Sequence, residues 1–237
     1  MRRMRITVAG ASGRIGTKVV EILTGEGHDV VAASRSTGVD VLTGAGLSDA
    51  LAGADVVVDV TNRPPDEADA VIDFFTTSAT NLVEAARSAG VGHYVALSIV
   101  GVDGLPGSPY MRAKVAQEAV ITESRIPCSI VRATQFVEFT DGIIDSLTVG
   151  DEVRVPDALI QPIPADEVAA AVARAAVAEP INGFRNVGGP RTLTFEQLAR
   201  DVLANRGDGT KSVVVDPEAR YFGAALSRES LVTTDAG

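Results

Sequence analysis

Short apolar runs alternate along the chain with segments whose apolar residues recur every three to four positions. "RITVAG" (5–10), "DVVAAS" (29–34), "ADVVVDV" (54–60), "HYVALSIV" (93–100) and "CSIVRA" (128–133) are nearly continuous in apolar character. That is the signature of strands covered on both faces. Between them, residues 14–26 place Ile15, Val19, Ile22 and Leu23 on one helical face. A short helix is expected near 46–53, a mostly helical stretch over 66–89 with an interruption at "TTSAT", and a helix over 109–124. Strand and helix alternating in this order predict a parallel sheet with right-handed crossovers. The expected class is α/β, a doubly wound, mostly parallel sheet with helices on both faces.

The pattern loosens after residue 134. "VEFTDGIIDSL" is a helix candidate, "DEVRVP" a short strand, and residues 165–177 an Ala-rich helix. "GFRNVGG" and "KSVVVD" are further strand candidates, and the tail from 217 has no clear period. Thr194 and Gln197 open "TFEQLARDVLANR" with the spacing of a capping box. The expectation is one domain over 1–237, in which 134–237 completes the sheet and builds a smaller lid on the substrate side.

Composition narrows the classes. The chain is 46% hydrophobic with no Trp and 4% aromatics, so Val, Ala, Ile and Leu must pack the core. A formal charge of −10 argues against a broad grip on nucleic acid or anionic membrane. Cys128 is the only cysteine, so no intrachain disulfide or cysteine-rich metal site can form. The two histidines, His28 and His93, sit in Gly-flanked turns and give a Ser-His-Asp triad little support. No 18-residue apolar run and no signal-like start is present, which predicts a cytoplasmic protein off the membrane. No metal is expected, and oligomeric state is not legible.

Against that background "GASGRIG" (10–16) stands out, joining a buried strand to an amphipathic helix. Glycines at Gly10, Gly13 and Gly16 permit a sharp turn, a close approach of pyrophosphate and tight helix–strand packing. The helix start offers free N–H groups to phosphate. The spacing is GxxGxxG rather than GxGxxG, and a strand-to-helix turn without ligand is the plain alternative. At the end of the second strand Ser34, Arg35 and Ser36 hold no carboxylate, and Arg35 stands 25 residues after Gly10. A guanidinium beside hydroxyls suits a 2′-phosphate, which points to NADP(H) over NAD(H). A solvated loop arginine is the alternative.

Tyr110 and Lys114 stand four apart at the start of a helix, which puts them on one face. A close ammonium favours the phenolate and lowers the tyrosine's titration point, equipping the pair for proton transfer to a carbonyl oxygen. The chain has only three Tyr and three Lys, although a surface pair without function is the alternative. Ser98 closes the fourth strand at the carboxyl edge of the sheet, where open α/β folds bind ligands. Phe74, Phe75, Phe136 and Phe139 form an apolar wall or simply core.

Taken together, GASGRIG at 10–16, Ser34-Arg35, DVTN at 59–62, Ser98, Tyr110-x-x-x-Lys114 and "IVRATQFVEF" at 130–139 resemble the atypical, NmrA-like branch of the short-chain dehydrogenases/reductases. The resemblance spans about residues 4–180 and implies a Rossmann sheet. It implies that the loop residues Gly10, Ser12, Gly13, Arg14, Ile15 and Gly16 hold pyrophosphate. It assigns Lys114 to the nicotinamide ribose, Tyr110 to acid–base work and Ser98 to the carbonyl. Val60, Thr61 and Asn62 would line the cofactor, Thr134, Gln135 and Phe136 would lie near the nicotinamide, and Asp40 would meet the adenine amine. The function implied is NADPH-dependent reduction of a carbonyl or quinone-like small molecule. The alternatives are a non-catalytic NADP-binding regulator, which resembles members lacking the Tyr–Lys pair, and an epimerase that retains its cofactor. Extended-branch epimerases are longer, which is expected to count against the last.

Overall fold

The computed structural model describes residues 2–63 and 67–233, so the expected helix start at residue 66 and residues 234–237 lie outside the described residues. The first part runs β1 (Arg5–Ala9), α1 (Arg14–Gly25), β2 (Asp29–Ala33), α2 (Leu47–Leu51), β3 (Val56–Asp59), α3 (Ala68–Ala89), β4 (His93–Ile99), α4 (Pro109–Glu123) and β5 (Cys128–Ala133). The second part runs α5 (Thr140–Ser146), β6 (Thr148–Val149), β7 (Glu152–Val155), β8 (Leu159–Ile160), α6 (Ala165–Val177), β9 (Gly183–Val187), β10 (Leu193–Thr194), α7 (Phe195–Arg206) and β11 (Ser212–Val215).

Six strands pair in the order β2–β1–β3–β4–β5–β9, every pair parallel. From β1 the chain passes to β2 on one side and then to β3 on the other, so its winding reverses between β1 and β3. The carboxyl edge at such a switch point is where this architecture takes a ligand. Alternation along the strands feeds two cores. Ile6, Val8, Val58, Val95 and Val131 pack with Ile15, Val19 and Leu23 of α1 and with α6. Val57, Tyr94, Ala96 and Ile130 pack with Leu82 and Ala86 of α3, Ile121 of α4 and Leu51 of α2. Each fully buried branched aliphatic contributes about 1.5–3 kcal/mol, so these two faces drive the fold.

The second part supplies β9 to the main sheet and builds two small sheets, β8 with β10 and β6 with β7 and β11. A third apolar cluster, including Ile144, Val153, Ile160, Phe195 and Leu231, also takes in Val102, Leu105 and Met111. It therefore grips the loop after β4 and the start of α4. The tail belongs to this grip: a Cβ on Gly107 would lie 3.2 Å from Ala224, and one on Gly101 would collide with the Ser230 carbonyl. The capping box forms as its spacing predicts, with Gln197 N donating to Thr194 Oγ1 at 3.1 Å and Thr194 N to Gln197 Oε1 at 2.9 Å.

Two expectations are corrected. α3 runs unbroken through "TTSAT". Threonine and serine are mediocre helix formers, but Phe75, Ser78, Ala79 and Leu82 are fully buried on one face, and packing overrides propensity. "VEFTDGIIDSL" is not one helix: residues 137–139 form a 3₁₀ turn and α5 begins at Thr140.

Candidate active site

The glycine turn is tied to its neighbours on both sides. Gly10 has φ of 83°, and a Cβ there would sit 2.8 Å from the Val60 carbonyl oxygen. The N–H groups of Gly10 and Ala11 donate to the Ala33 carbonyl at 3.0 and 3.2 Å. A Cβ on Gly16 would collide with the Gly10 carbonyl, so this glycine lets α1 press onto the turn. Gly13 differs. It is exposed, has an ordinary extended φ of −82°, and a Cβ there would meet only the Gly10 carbonyl oxygen, at 3.2 Å. It caps α1 without a side-chain bond, and the first turn holds no acid. The opening N–H groups of α1 therefore face outward beside a residue with no side chain, as an anion site requires. Ser12 and Arg14 flank this point in solvent, while Ile15 is buried and anchors the helix.

An open depression of about 400 Å³, lined by Ser12, Gly13, Arg14, Thr17, Lys18 and Glu21, reaches the turn along α1. It includes none of the strand-end residues described next. Over the turn bends the segment after β5. The Arg14 guanidinium lies 5.4 Å from the centre of the Phe139 ring, which stacks on Phe136 at 5.4 Å. Phe75, by contrast, is core.

At the end of β2, Ser34 caps a short turn over Arg35–Thr37, and its Oγ lies 2.8 Å from Ser36 Oγ. Arg35 is exposed with no hydrogen bond or ion pair among the described residues, and no carboxylate stands between Ser34 and Thr37. Asp40 is used locally. Its Oδ1 accepts from Leu42 N at 2.8 Å and Thr43 N at 3.3 Å, which shapes its own loop.

The ends of β3, β4 and β5 meet the start of α4. Asp59, fully buried at the end of β3, accepts from Thr61 N (3.0 Å), Thr61 Oγ1 (2.6 Å), Tyr94 Oη (3.0 Å) and Gln117 Nε2 (2.8 Å). Thr61's N–H and hydroxyl are thus both committed to the carboxylate. Val60 is buried against the glycine turn. Asn62 Oδ1 accepts from the Tyr110 hydroxyl at 2.7 Å. Lys114 donates to the Leu97 carbonyl at 2.8 Å and to Gln117 Oε1. Its Nζ lies 4.6 Å from the centre of the Phe75 ring, whose edge also meets the Tyr110 ring at 5.7 Å.

This corrects the electrostatic expectation for the pair. Lys114 does not draw the Tyr110 titration down. Burial pushes the phenol up to about 12, while the ammonium is engaged by Leu97 and Gln117 and not by the phenol. Burial likewise brings Lys114 down to about 8, with Asp59 and Glu118 pulling the other way.

Ser98 lies on the sheet face shared with Tyr94 and Ala96, toward α3 and α4. Its Oγ is buried and unpartnered, as are Ser108 Oγ, Thr134 Oγ1 and both amide atoms of Gln135. Buried polar atoms left unpaired are costly and uncommon. These stand at the ends of β4 and β5 and the start of α4, a polar lining with room for a ligand's hydrogen bonds. The set fits a dinucleotide: an uncapped helix start for phosphate, and unpartnered donors and acceptors where the reactive ring would lie.

Sequence reasoning missed Asp59, Gln117, Tyr94 and Tyr221. A carboxylate at the carboxyl end of the apolar run "VVVD" (56–59) was the available signal for Asp59, and its i,i+3 relation to Lys114 the signal for Gln117. Tyr221 carried none. It comes from the aperiodic tail, is buried, and is pushed upward by burial and then by the charge of a neighbouring Tyr110. Among the described residues no cluster of His, Cys, Asp or Glu can hold a metal, and no helix is long and apolar enough to cross a membrane.

A parallel sheet with a glycine turn at its switch point defines a dinucleotide-binding protein of the Rossmann type. The NAD(P)H-binding family model matches residues 10–179, and the chain belongs to that family. This agrees with the resemblance to atypical short-chain dehydrogenases/reductases. The photosystem II assembly factor Ycf39 of Synechocystis sp. is 24% identical over 149 residues, covering 57% of this chain and 46% of that protein. The 4-hydroxy-tetrahydrodipicolinate reductase of Natronomonas pharaonis is 32% identical over 153 residues, covering 63% and 52%. The chain thus spans about half the length of the curated relatives it matches. Among solved structures, a dTDP-4-dehydrorhamnose reductase from Clostridium acetobutylicum superposes with a TM-score of 0.73 at 19% identity, covering 96% of this chain and 91% of that one.

Proposed function

We propose that the protein is an NADPH-dependent oxidoreductase that reduces a carbonyl or quinone-like small molecule. The observation that carries the reading is the unpartnered Ser98 Oγ on the same sheet face as α4, whose first turns bear Tyr110 and Lys114. In this reading the whole chain is one nucleotide-binding unit, and 134–237 supplies its substrate side. Gly13 and the opening N–H groups of α1 hold the pyrophosphate, Arg35 takes the 2′-phosphate, and Lys114 meets the ribose. When bound, the reduced nicotinamide supplies the hydride.

The chain's own residues do the rest. Ser98 donates to the substrate oxygen and orients it. Tyr110 gives its proton to the alkoxide that develops there. A phenol that titrates near 12 keeps its proton at neutral pH, which suits a donor in the reductive direction. That proton is held by Asn62 Oδ1 in the unliganded protein, and the hydroxyl turns from Asn62 to the substrate oxygen when substrate binds. Phe139, beside Arg14, covers the phosphate end of the cleft, and Phe136 stacks on it from the side of Thr134 and Gln135.

A second reading, a nucleotide-responsive protein without turnover, has one observation behind it: Lys114 is turned to Leu97 and Gln117 rather than to the phenol. Tyr110→Phe separates the two. It leaves the ring to pack against Phe75, so NADPH affinity is expected to stay unchanged. Turnover on ketones or quinones is expected to fall by about 10²-fold or more. A fully active Tyr110→Phe protein would refute the proton-donor role. NADPH binding without consumption across the panel would favour the second reading.

A further inference from the structure

Lys114 is buried among groups that leave it no freedom. Of its three N–H donors, one goes to the Leu97 carbonyl and one to Gln117 Oε1, and the third has no acceptor among the described residues. Gln117 presents its oxygen rather than its nitrogen for a chemical reason. An ionised carboxylate only accepts hydrogen bonds, so Asp59 Oδ2, at 2.8 Å, draws the Nε2 end of the amide toward itself. Asp59 is in turn held by Thr61 N, Thr61 Oγ1 and Tyr94 Oη. A polar chain therefore runs from the end of β3 to the ammonium, with each of its hydrogen bonds pointing from the Lys114–Gln117 side toward Asp59 or a fixed acceptor and one N–H of Lys114 left over. Gln117 is 1% exposed and Asp59 0%, so water cannot substitute for either.

We propose that Asp59 and Gln117 are positioning residues for Lys114: Asp59 fixes which way the Gln117 amide faces, and that amide fixes the ammonium with one N–H left for the cofactor's ribose. Neither touches the reacting atoms. The inference rests on the proposed meeting of Lys114 with the cofactor. The single polarity of the chain makes it testable by isosteric exchange. In Asp59→Asn an amide nitrogen faces Gln117, the amide turns over, and its NH₂ confronts the ammonium. In Gln117→Glu two carboxylates face each other. In the double variant Asp59→Asn/Gln117→Glu the same two groups are present in exchanged places. The amide at position 59 then donates to the carboxylate at position 117, which accepts from Lys114.

The experiment measures thermal stability and NADPH affinity by fluorescence titration for the wild type, both single variants and the double variant. Each single variant is expected to bind about tenfold or more weakly, the scale of one charge-assisted hydrogen bond. The double variant is expected to return to within about threefold of wild type, since the coupling is between neighbours. A role in packing alone predicts no loss, because every exchange is isosteric. Folded single variants that bind like wild type overturn the proposal, and so does a double variant weaker than both. If the single variants do not fold, a folded, binding double variant supports it and an unfolded one overturns it. A wild-type protein that does not bind NADPH overturns the functional reading, and this inference with it.

Discussion

Replacing Gly13 and Gly16, one at a time, separates binding from folding within a single loop. The two look alike in the sequence but differ in the structure. A Cβ on Gly16 would run into the Gly10 carbonyl and Ala11 Cα, both backbone, so α1 must shift away from the turn. Overpacking of this kind costs about 1–3 kcal/mol. At the upper end a chain of this size loses roughly 6–12 °C in Tm. A Cβ on Gly13 meets only the Gly10 oxygen at 3.2 Å, and φ of −82° suits any residue. Gly13→Val therefore costs about 1 kcal/mol, chiefly from a poorer N-cap, or roughly 2–4 °C. On the proposed function, its isopropyl group stands where the pyrophosphate would approach the opening N–H groups of α1. Loss of two charge-assisted hydrogen bonds at about 1.5 kcal/mol each weakens binding about 10²-fold. Scanning fluorimetry without ligand reads the first effect and NAD(P)H fluorescence titration the second. The reasoning fails if Gly13→Val unfolds as readily as Gly16→Ala, or if it folds and binds both nucleotides like wild type.

If Arg35 takes the 2′-phosphate as proposed, Arg35→Asp is expected to invert the nucleotide preference by setting repulsion in place of attraction; unchanged NADPH and NADH affinities would remove Arg35 from the site. His93, buried beside Ser129 with Nε2 2.9 Å from its Oγ, is held by burial at about 4 against 6.5 in an unfolded chain. Between those values the unfolded state binds more protons, so stability rises with pH from about 4 to 6.5 and falls on acidification. His93→Gln should flatten that limb in Tm measured against pH, and a limb that persists assigns it to other groups. Glu118→Gln neutralises the part-buried carboxylate that holds Arg132 at 2.6 Å and leaves only the exposed Asp103 at 3.3 Å as an ion-pair partner. It should cost about 1.5–3 kcal/mol by urea denaturation, the scale of a charge-assisted hydrogen bond, and a loss well under about 1 kcal/mol would show the pair to be solvated.

The hydrophobic pattern alone determined the five first strands, the helices between them and their parallel sense. Near-continuous apolar runs favour a sheet covered on both faces, as β3 and β5 are, while edge strand β2 carries the same pattern half-buried. The glycine turn, the Arg35 position, the Tyr110–Lys114 spacing and the Thr194 cap were legible for the same reason: each depends on residues within one turn or one strand-to-helix junction. Tertiary structure decided what depends on partners far along the chain. α3 runs through "TTSAT" because its buried face outweighs local propensity. Asp59 reads in sequence as one of two acids, with Asp55, in the apolar run "ADVVVDV". Its role emerges only when folding brings it against Tyr94, 35 residues away, and Gln117, 58 residues away. The spacing of Tyr110 and Lys114 put both on α4, but it could not show that Leu97 and Gln117 engage the ammonium, nor that burial raises the phenol to about 12 instead of lowering it. Titration depends on burial and on every charge within reach, and spacing along one helix reports neither. The aperiodic tail shows the limit most plainly. Tyr221 and Leu231 are buried against the loop that precedes Tyr110, through contacts set by shape and not by any repeat.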